Sequence, residues 1–209
     1  KHFDPSKVVI TGNPIRTFTL PPTAEARERL GLDPARPTLL SLGGSLGALR
    51  INEALEAQLE AIIESGVQLI WQCGKRYHAA LAARVPQHPQ IKLMPFIEDM
   101  AAAYAAADLI ISRAGGSTIS ELIALEKPSV LVPSPNVSED HQTKNALSLS
   151  EKGAARLVKD VEAYTELVPV ALDILRNPEI LAQLQSGIAA MEKHDAAREI
   201  VDEIMKHLK

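Results

Sequence analysis

The feature that most constrains this chain is a run of short apolar segments that do not alternate with polar residues. Each is followed by a helical pattern of about 10–15 residues, the spacing that calls for parallel strands joined by crossover helices. The segments are Val8–Ile10, Thr38–Leu42, Val67–Trp71, Ile91–Met94, Asp108–Ser112, Ser129–Val132 and a weaker Ala155–Val158. Unalternating runs such as Leu109-Ile110-Ile111 suit strands buried on both faces. Between them, Ile51, Leu55, Leu59 and Ile62 repeat at the helical period, and Thr23 is placed to cap a short helix ending near Gly31. Residues from about 160 onward read as helices broken at Pro178 and around Gly187. The expected fold class is α/β: one doubly wound domain with a parallel sheet of about six strands covered by helices on both faces. Ligands of such sheets sit beyond the carboxyl ends of the strands, where the strand order reverses. Chemistry is therefore expected in the strand-to-helix turns.

Composition narrows the function classes. Of the 209 residues, 46% are hydrophobic and 23% charged, which is a globular balance. The formal charge of −4 gives no basic excess for phosphate neutralisation, so no nucleic-acid partner is expected. The single cysteine, Cys73, allows no internal disulfide and fits a reducing, cytoplasmic compartment. Following a buried strand, it reads as core packing rather than a nucleophile. Six histidines show no paired ligand spacing, so neither a metal nor a cofactor is expected. The start at Lys1-His2-Phe3, without methionine or a signal-peptide pattern, is expected of a chain cut from something longer.

Three turns carry ligand-binding chemistry. Gly43-Gly44-Ser45-Leu46-Gly47-Ala48 follows the Thr38 strand. Its glycines let backbone approach a phosphate, and the next helix offers free N–H groups and the positive end of its dipole. It matches neither the Walker loop nor the dinucleotide fingerprint; a plain tight turn with Ser45 as N-cap is the alternative. Arg113-Ala114-Gly115-Gly116-Ser117-Thr118 follows the Asp108 strand, with Glu121 just beyond. Glu121 either accepts from a sugar diol or closes a capping box with Thr118. The third region runs from Pro133 through His141, Gln142 and Asn145; the last two share a helix face that either reads sugar hydroxyls or is ordinary first-turn polarity. Arg16, after Gly12-Asn13-Pro14-Ile15, either reaches an anion or is a surface arginine.

Taken together, Gly12–Arg16, Gly43–Ala48 with Asn52, Phe96-Ile97-Glu98-Asp99-Met100, Arg113–Thr118 with Glu121, and Pro133 with His141-Gln142 and Asn145-Ala146-Leu147 resemble the MurG family. These are peptidoglycan N-acetylglucosaminyltransferases that act on undecaprenyl-diphospho-muramoylpentapeptide. Single motifs are shared with other GT-B transferases, whereas the set in this order, from about Gly12 to the C-terminal helices, is specific. The resemblance implies one Rossmann-like half of a two-domain GT-B enzyme: residues 1–209 as the C-terminal domain that binds UDP-N-acetylglucosamine. The acceptor site, catalytic base and membrane-facing patch belong to an N-terminal half that the chain lacks.

The same resemblance implies the site roles. Ser45 and the turn from Gly115 through Gly116 and Ser117 to Thr118 hold the diphosphate, with Gly43, Gly44 and Gly47 supporting the first turn. Ile97 offers backbone groups to uracil, and Glu121 takes the ribose hydroxyls. Gln142 with His141 contacts the N-acetylglucosamine hydroxyls, Asn145 supports them, and Arg16 and Arg113 lie near the nucleotide. It implies no catalytic residue in this chain. The implied partners are UDP-N-acetylglucosamine and, through the missing half, the lipid-linked acceptor on the cytoplasmic face of the inner membrane. Leu46 and Gly116 depart from residues common in the family, a polar residue and alanine respectively. The competing readings are another UDP-sugar transferase or epimerase of this fold, and a non-catalytic nucleotide-binding module.

Overall fold

The computed structural model describes residues 4, 7–44, 46–135 and 140–208. Six strands form one all-parallel sheet: β1 (Thr38–Leu42), β2 (Gln68–Gln72), β3 (Ile91–Met94), β4 (Leu109–Ser112), β5 (Ser129–Leu131) and β6 (Ala155–Leu157). Their spatial order is β3-β2-β1-β4-β5-β6. The helices are α1 (Thr23–Arg29), α2 (Leu49–Ala57), α3 (Leu59–Glu64), α4 (Lys75–Ala82), α5 (Met100–Ala106), α6 (Gly116–Ala124), α7 (His141–Ser150), α8 (Ala163–Arg176), α9 (Pro178–Ala189) and α10 (Ala196–His207). No helix among the described residues is long and apolar enough to cross a membrane.

Strand residues divide by parity between two cores. Leu39, Leu69, Trp71, Leu109, Ile111 and Val130 pack with Ile51 and Leu55 of α2, Ile62 of α3 and Leu167 and Val168 of α8. Leu40, Ile70, Ile110 and Leu131 pack instead with Ala103 and Tyr104 of α5, Ile119 and Leu122 of α6 and Leu149 of α7. Every residue of β1, β2 and β4 is buried, so the runs read without alternation because neither face meets water.

The amino end of the sheet is closed by ions. Asp108 Oδ2 accepts from both Arg27 Nη2 and the Thr38 N–H, each at 2.7 Å, which fastens α1 and β1 to the start of β4. Arg27 Nε also donates to Ala106 O at 3.0 Å. The carboxyl end is left to the loops.

Local differences from the sequence reading have physical causes. The helix expected through Ile51 and Ile62 breaks at Gln58 (φ −118°, ψ 23°) into α2 and α3, yet Ile51, Leu55, Leu59 and Ile62 all stay buried on the same core. Thr23 is the first helical residue of α1 rather than its cap, which is Pro22. Val8–Ile10 forms no strand: it joins no ladder among the described residues, and Ile10 is 84% exposed. The segment after it crosses towards α6 instead of running along a sheet edge, and Asn13 Nδ2 donates to Ser120 Oγ at 3.3 Å. Gly187 does not break the last helices either. It lies inside α9, where a Cβ would stand 2.3 Å from Gly153 O, so the missing side chain admits the backbone turn that precedes β6.

That packing sets two effects of Gly187→Ala against each other. Helix propensity favours alanine by about 0.5–1 kcal/mol, whereas forcing a methyl onto fixed backbone costs about 1–3 kcal/mol or more. The substitution is expected to lower the urea midpoint; an unchanged or raised midpoint would contradict the contact.

Candidate functional site

The strand order reverses between β1 and β4, which pair directly with Leu42 beside Ser112. The crossover from β1 runs through α2 onto one core, and the one from β4 runs through α6 onto the other. The two segments must therefore part immediately after Leu42 and Ser112, and the two glycine turns follow directly at this point of reversal, where open α/β sheets take their ligands.

The first turn is held by backbone packed on backbone. The Gly43 N–H donates to Gln72 O at 3.1 Å and the Gly47 N–H to Gly44 O at 3.1 Å. Gly47 has φ +79°, and a Cβ there would lie 2.3 Å from Cys73 O; a Cβ on Gly74 (φ +88°) would lie 2.5 Å from Gly47 Cα. Only glycine permits both the left-handed backbone and this approach. Asn52 of α2 anchors the arrangement from below: its Nδ2 donates to Cys73 O and its Oδ1 accepts from Trp71 Nε1, both at 2.9 Å. Gly44 (φ +71°) and Leu46 are exposed at the tip, and a Cβ on Gly44 would meet nothing within 4 Å. Ser45 lies outside the described residues. The N-cap position of α2 is Ala48, with no side-chain cap among the described residues.

The second turn leads straight into α6. Its N-cap is Gly115 (φ −67°, ψ 148°), and no side chain among the described residues caps it. The first-turn N–H groups of Gly116, Ser117 and Thr118 therefore face the crevice edge without an intrahelical partner, at the positive end of the helix. Around Gly115 a Cβ would meet only Thr118 Oγ1, at 3.9 Å. On Gly116 it would stand 3.1 Å from Asn13 Nδ2, the movable end of a side chain, so the alanine common at this position fits with a small shift.

Glu121 does not close a capping box, because α6 starts at Gly116 and Thr118 is not its cap. Its Oε2 accepts from the Tyr104 hydroxyl at 2.6 Å. Tyr104 is buried, and its ring meets Phe18 edge-on at 5.3 Å. Arg16 is exposed and lies over the Phe18 ring at 5.8 Å. Burial pushes the Tyr104 phenol far above its ordinary range, and the hydrogen bond to Glu121 and its charge add to this, while the Arg16 charge opposes them.

The remaining expected residues divide between frame and rim. The Arg113 side chain turns along the sheet edge, where Nη1 donates to Val132 O (3.1 Å) and Pro133 O (3.2 Å) and pairs with Asp160. It thereby ties the exits of β4, β5 and β6 together. Asn145 Nδ2 donates to Ala114 O at 3.0 Å and fixes α7 to the second turn. Gln142 Oε1 accepts from the Ser134 N–H at 2.9 Å, which leaves its amide hydrogens for other acceptors. His141 is exposed at the first turn of α7, beside Asp140 in the left-handed region (φ 52°). Ile97 is buried as a side chain on the α5 core, in the loop that Asp99 ends by capping α5 through the Ala102 N–H at 2.9 Å. A separate hollow between Gly12–Ile15, α6 and His194 contains neither glycine turn.

The structure thus gathers Gly43, Gly44, Gly47 and Gly115–Thr118 at one end of two adjacent strands. It puts Glu121 and Arg16 together through Tyr104 and Phe18. Sequence reading missed Tyr104, Phe18 and Asp160. The only available signal for Tyr104 was a lone amphipathic ring within the alanine run from Ala101 to Ala107.

Residues 38–200 match the glycosyltransferase family 28 C-terminal domain. The chain is 49% identical over 213 aligned residues to the UDP-N-acetylglucosamine–N-acetylmuramyl-(pentapeptide) pyrophosphoryl-undecaprenol N-acetylglucosamine transferase of Bacteroides fragilis, covering 99% of this chain and 56% of that protein. The transferase of the same name from Porphyromonas gingivalis is 48% identical, with the same 99% and 56% coverage. The crystal structure of MurG from Acinetobacter baumannii superposes with a TM-score of 0.74 at 32% identity, over 93% of this chain and 57% of that one. The chain thus spans little more than half the length of the curated relatives it matches. A reversed parallel sheet with two glycine turns at its reversal, matched over most of its length by one family, places this chain in glycosyltransferase family 28 as its C-terminal domain.

Proposed function

We propose that residues 1–209 form the donor-binding domain of an inverting glycosyltransferase. It moves N-acetylglucosamine from UDP to undecaprenyl-diphospho-muramoylpentapeptide, the lipid I to lipid II step of peptidoglycan synthesis. The observation that carries this reading is the meeting of both glycine turns at the β1–β4 reversal, in a chain 49% identical to a transferase of that name. The acceptor site and the base that deprotonates the acceptor's C4 hydroxyl belong to the part of the relatives that this chain does not match. So does contact with the cytoplasmic face of the membrane, where the whole enzyme sits peripherally.

In this reading the chain's own task is to receive a leaving group. As the anomeric C–O bond breaks, its electron pair stays with the diphosphate, whose negative charge grows. The uncapped N–H groups of Gly116–Thr118 meet that charge without reorganising, and Ser45 with Gly43, Gly44 and Gly47 completes the diphosphate cradle. Glu121 takes the ribose hydroxyls, and the main chain at Ile97 takes the uracil edge. The amide hydrogens of Gln142, with His141, face the sugar hydroxyls. Arg16, over the Phe18 ring that packs on Tyr104, lies near the nucleotide, whereas Arg113 and Asn145 hold the walls in place.

Titrating the 209-residue chain with UDP or UDP-N-acetylglucosamine by calorimetry is expected to give weak one-site binding and a raised melting temperature. Absence of heat and of stabilisation at millimolar UDP would refute the reading. The same chain supplied with lipid acceptor and UDP-N-acetylglucosamine is expected to show no turnover, and product formation would overturn the division of labour. Glu121→Gln is expected to weaken UDP binding about tenfold, the scale of one charged hydrogen bond, with little change in melting temperature. A stability loss of about 1 kcal/mol with unchanged binding would instead mark a purely structural role as the acceptor for Tyr104.

A further inference from the structure

We propose that Tyr104 is a positioning residue for nucleotide recognition: it fixes the Glu121 carboxylate so that one oxygen stays available to a ribose diol. This rests on the reading of Glu121 as the ribose acceptor and adds the group that sets its geometry. Three observations carry it. The Tyr104 hydroxyl donates to Glu121 Oε2 at 2.6 Å, while Glu121 Oε1 makes no hydrogen bond or ion pair among the described residues. The ring that carries the hydroxyl cannot move freely, being 1% exposed within the α5 core and met edge-on by Phe18. Finally, α5 and α6 are separate crossover helices on the same sheet face, so the bond ties the carboxylate to a second rigid element.

The chemistry follows from donor and acceptor counts. A carboxylate accepts only, a phenol donates one proton, and a vicinal diol donates two. With its phenol buried beside a carboxylate, Tyr104 keeps its proton and always donates. One oxygen of Glu121 is thus spoken for, and the side chain is held in one rotamer before ligand arrives. An untethered glutamate would have to give up that rotamer freedom on binding. Half-buried Phe18, itself covered by the exposed Arg16, backs the tyrosine ring.

The test compares UDP with 2′-deoxy-UDP by calorimetry on the full 209-residue chain. Wild type is expected to prefer UDP. Tyr104→Phe keeps the ring and removes the donor. It is expected to weaken UDP about fivefold, the scale of one hydrogen bond, and to leave 2′-deoxy-UDP almost unchanged, so that the preference shrinks. Equal weakening of both nucleotides, or a preference left whole, overturns the proposal. If Glu121→Gln abolishes the preference while Tyr104→Phe does not, only the tyrosine role fails. If neither substitution alters it, the ribose reading of Glu121 falls as well. Should Tyr104→Phe not fold, Tyr104→Met, an apolar filler that also lacks the donor, replaces it. A shrunken preference then supports the proposal, and a preference equal to wild type overturns it.

Discussion

Parallel pairing of β1 with β4 is the constraint on which the rest depends. Two neighbouring strands run in the same direction, yet their crossovers leave for opposite faces of the sheet. Main chain must then diverge at the carboxyl end, immediately after Leu42 and Ser112. The glycines there are a response to that geometry. On the β1 side they let one turn lie against the backbone of the next, with Gly47 under Cys73 O and Gly74 on Gly47. On the β4 side they leave the start of α6 bare. One turn is thus rigid because it is crowded, and the other is receptive because it is open.

The rigid turn depends on groups well away from the ligand. Asn52 satisfies a backbone carbonyl and an indole N–H that are both inside the core, so its amide stands in for the hydrogen bonds that the irregular backbone after β2 does not make itself. Arg113 does the equivalent on the other side, gathering the carbonyls of Val132 and Pro133 and the Asp160 carboxylate. An arginine next to an anion site invites assignment to the anion. Here Nη1 is taken by three protein oxygens, which fixes where the arginine holds the strand ends.

The sheet was legible because buried parallel strands leave an unambiguous trace, apolar on every residue, as in Leu109-Ile110-Ile111. The same rule misled at Val8–Ile10, where an apolar triplet finds no ladder. Apolarity says that a segment avoids water, and only tertiary context says whether an edge is open to it. Glycines were legible as punctuation but not as contacts. Gly187 reads as a helix breaker from propensity, yet sits within α9 because Gly153 needs the space. For the site, the turns could be found from spacing, whereas the Tyr104–Glu121 bond joins residues 17 apart on different helices and leaves no periodic mark. Glu121 itself was ambiguous in sequence, since a capping box and a tethered acceptor are spelled with the same letters.

The chain has a single tryptophan, and its indole nitrogen is bonded to Asn52, the residue that also grips the backbone beneath the first glycine turn. Tryptophan fluorescence therefore arises from one fully enclosed ring whose indole N–H bond leads directly to that turn. With excitation that spares the tyrosines, the protein carries its own optical gauge of how firmly this corner is seated, with no label to add and no second tryptophan to subtract.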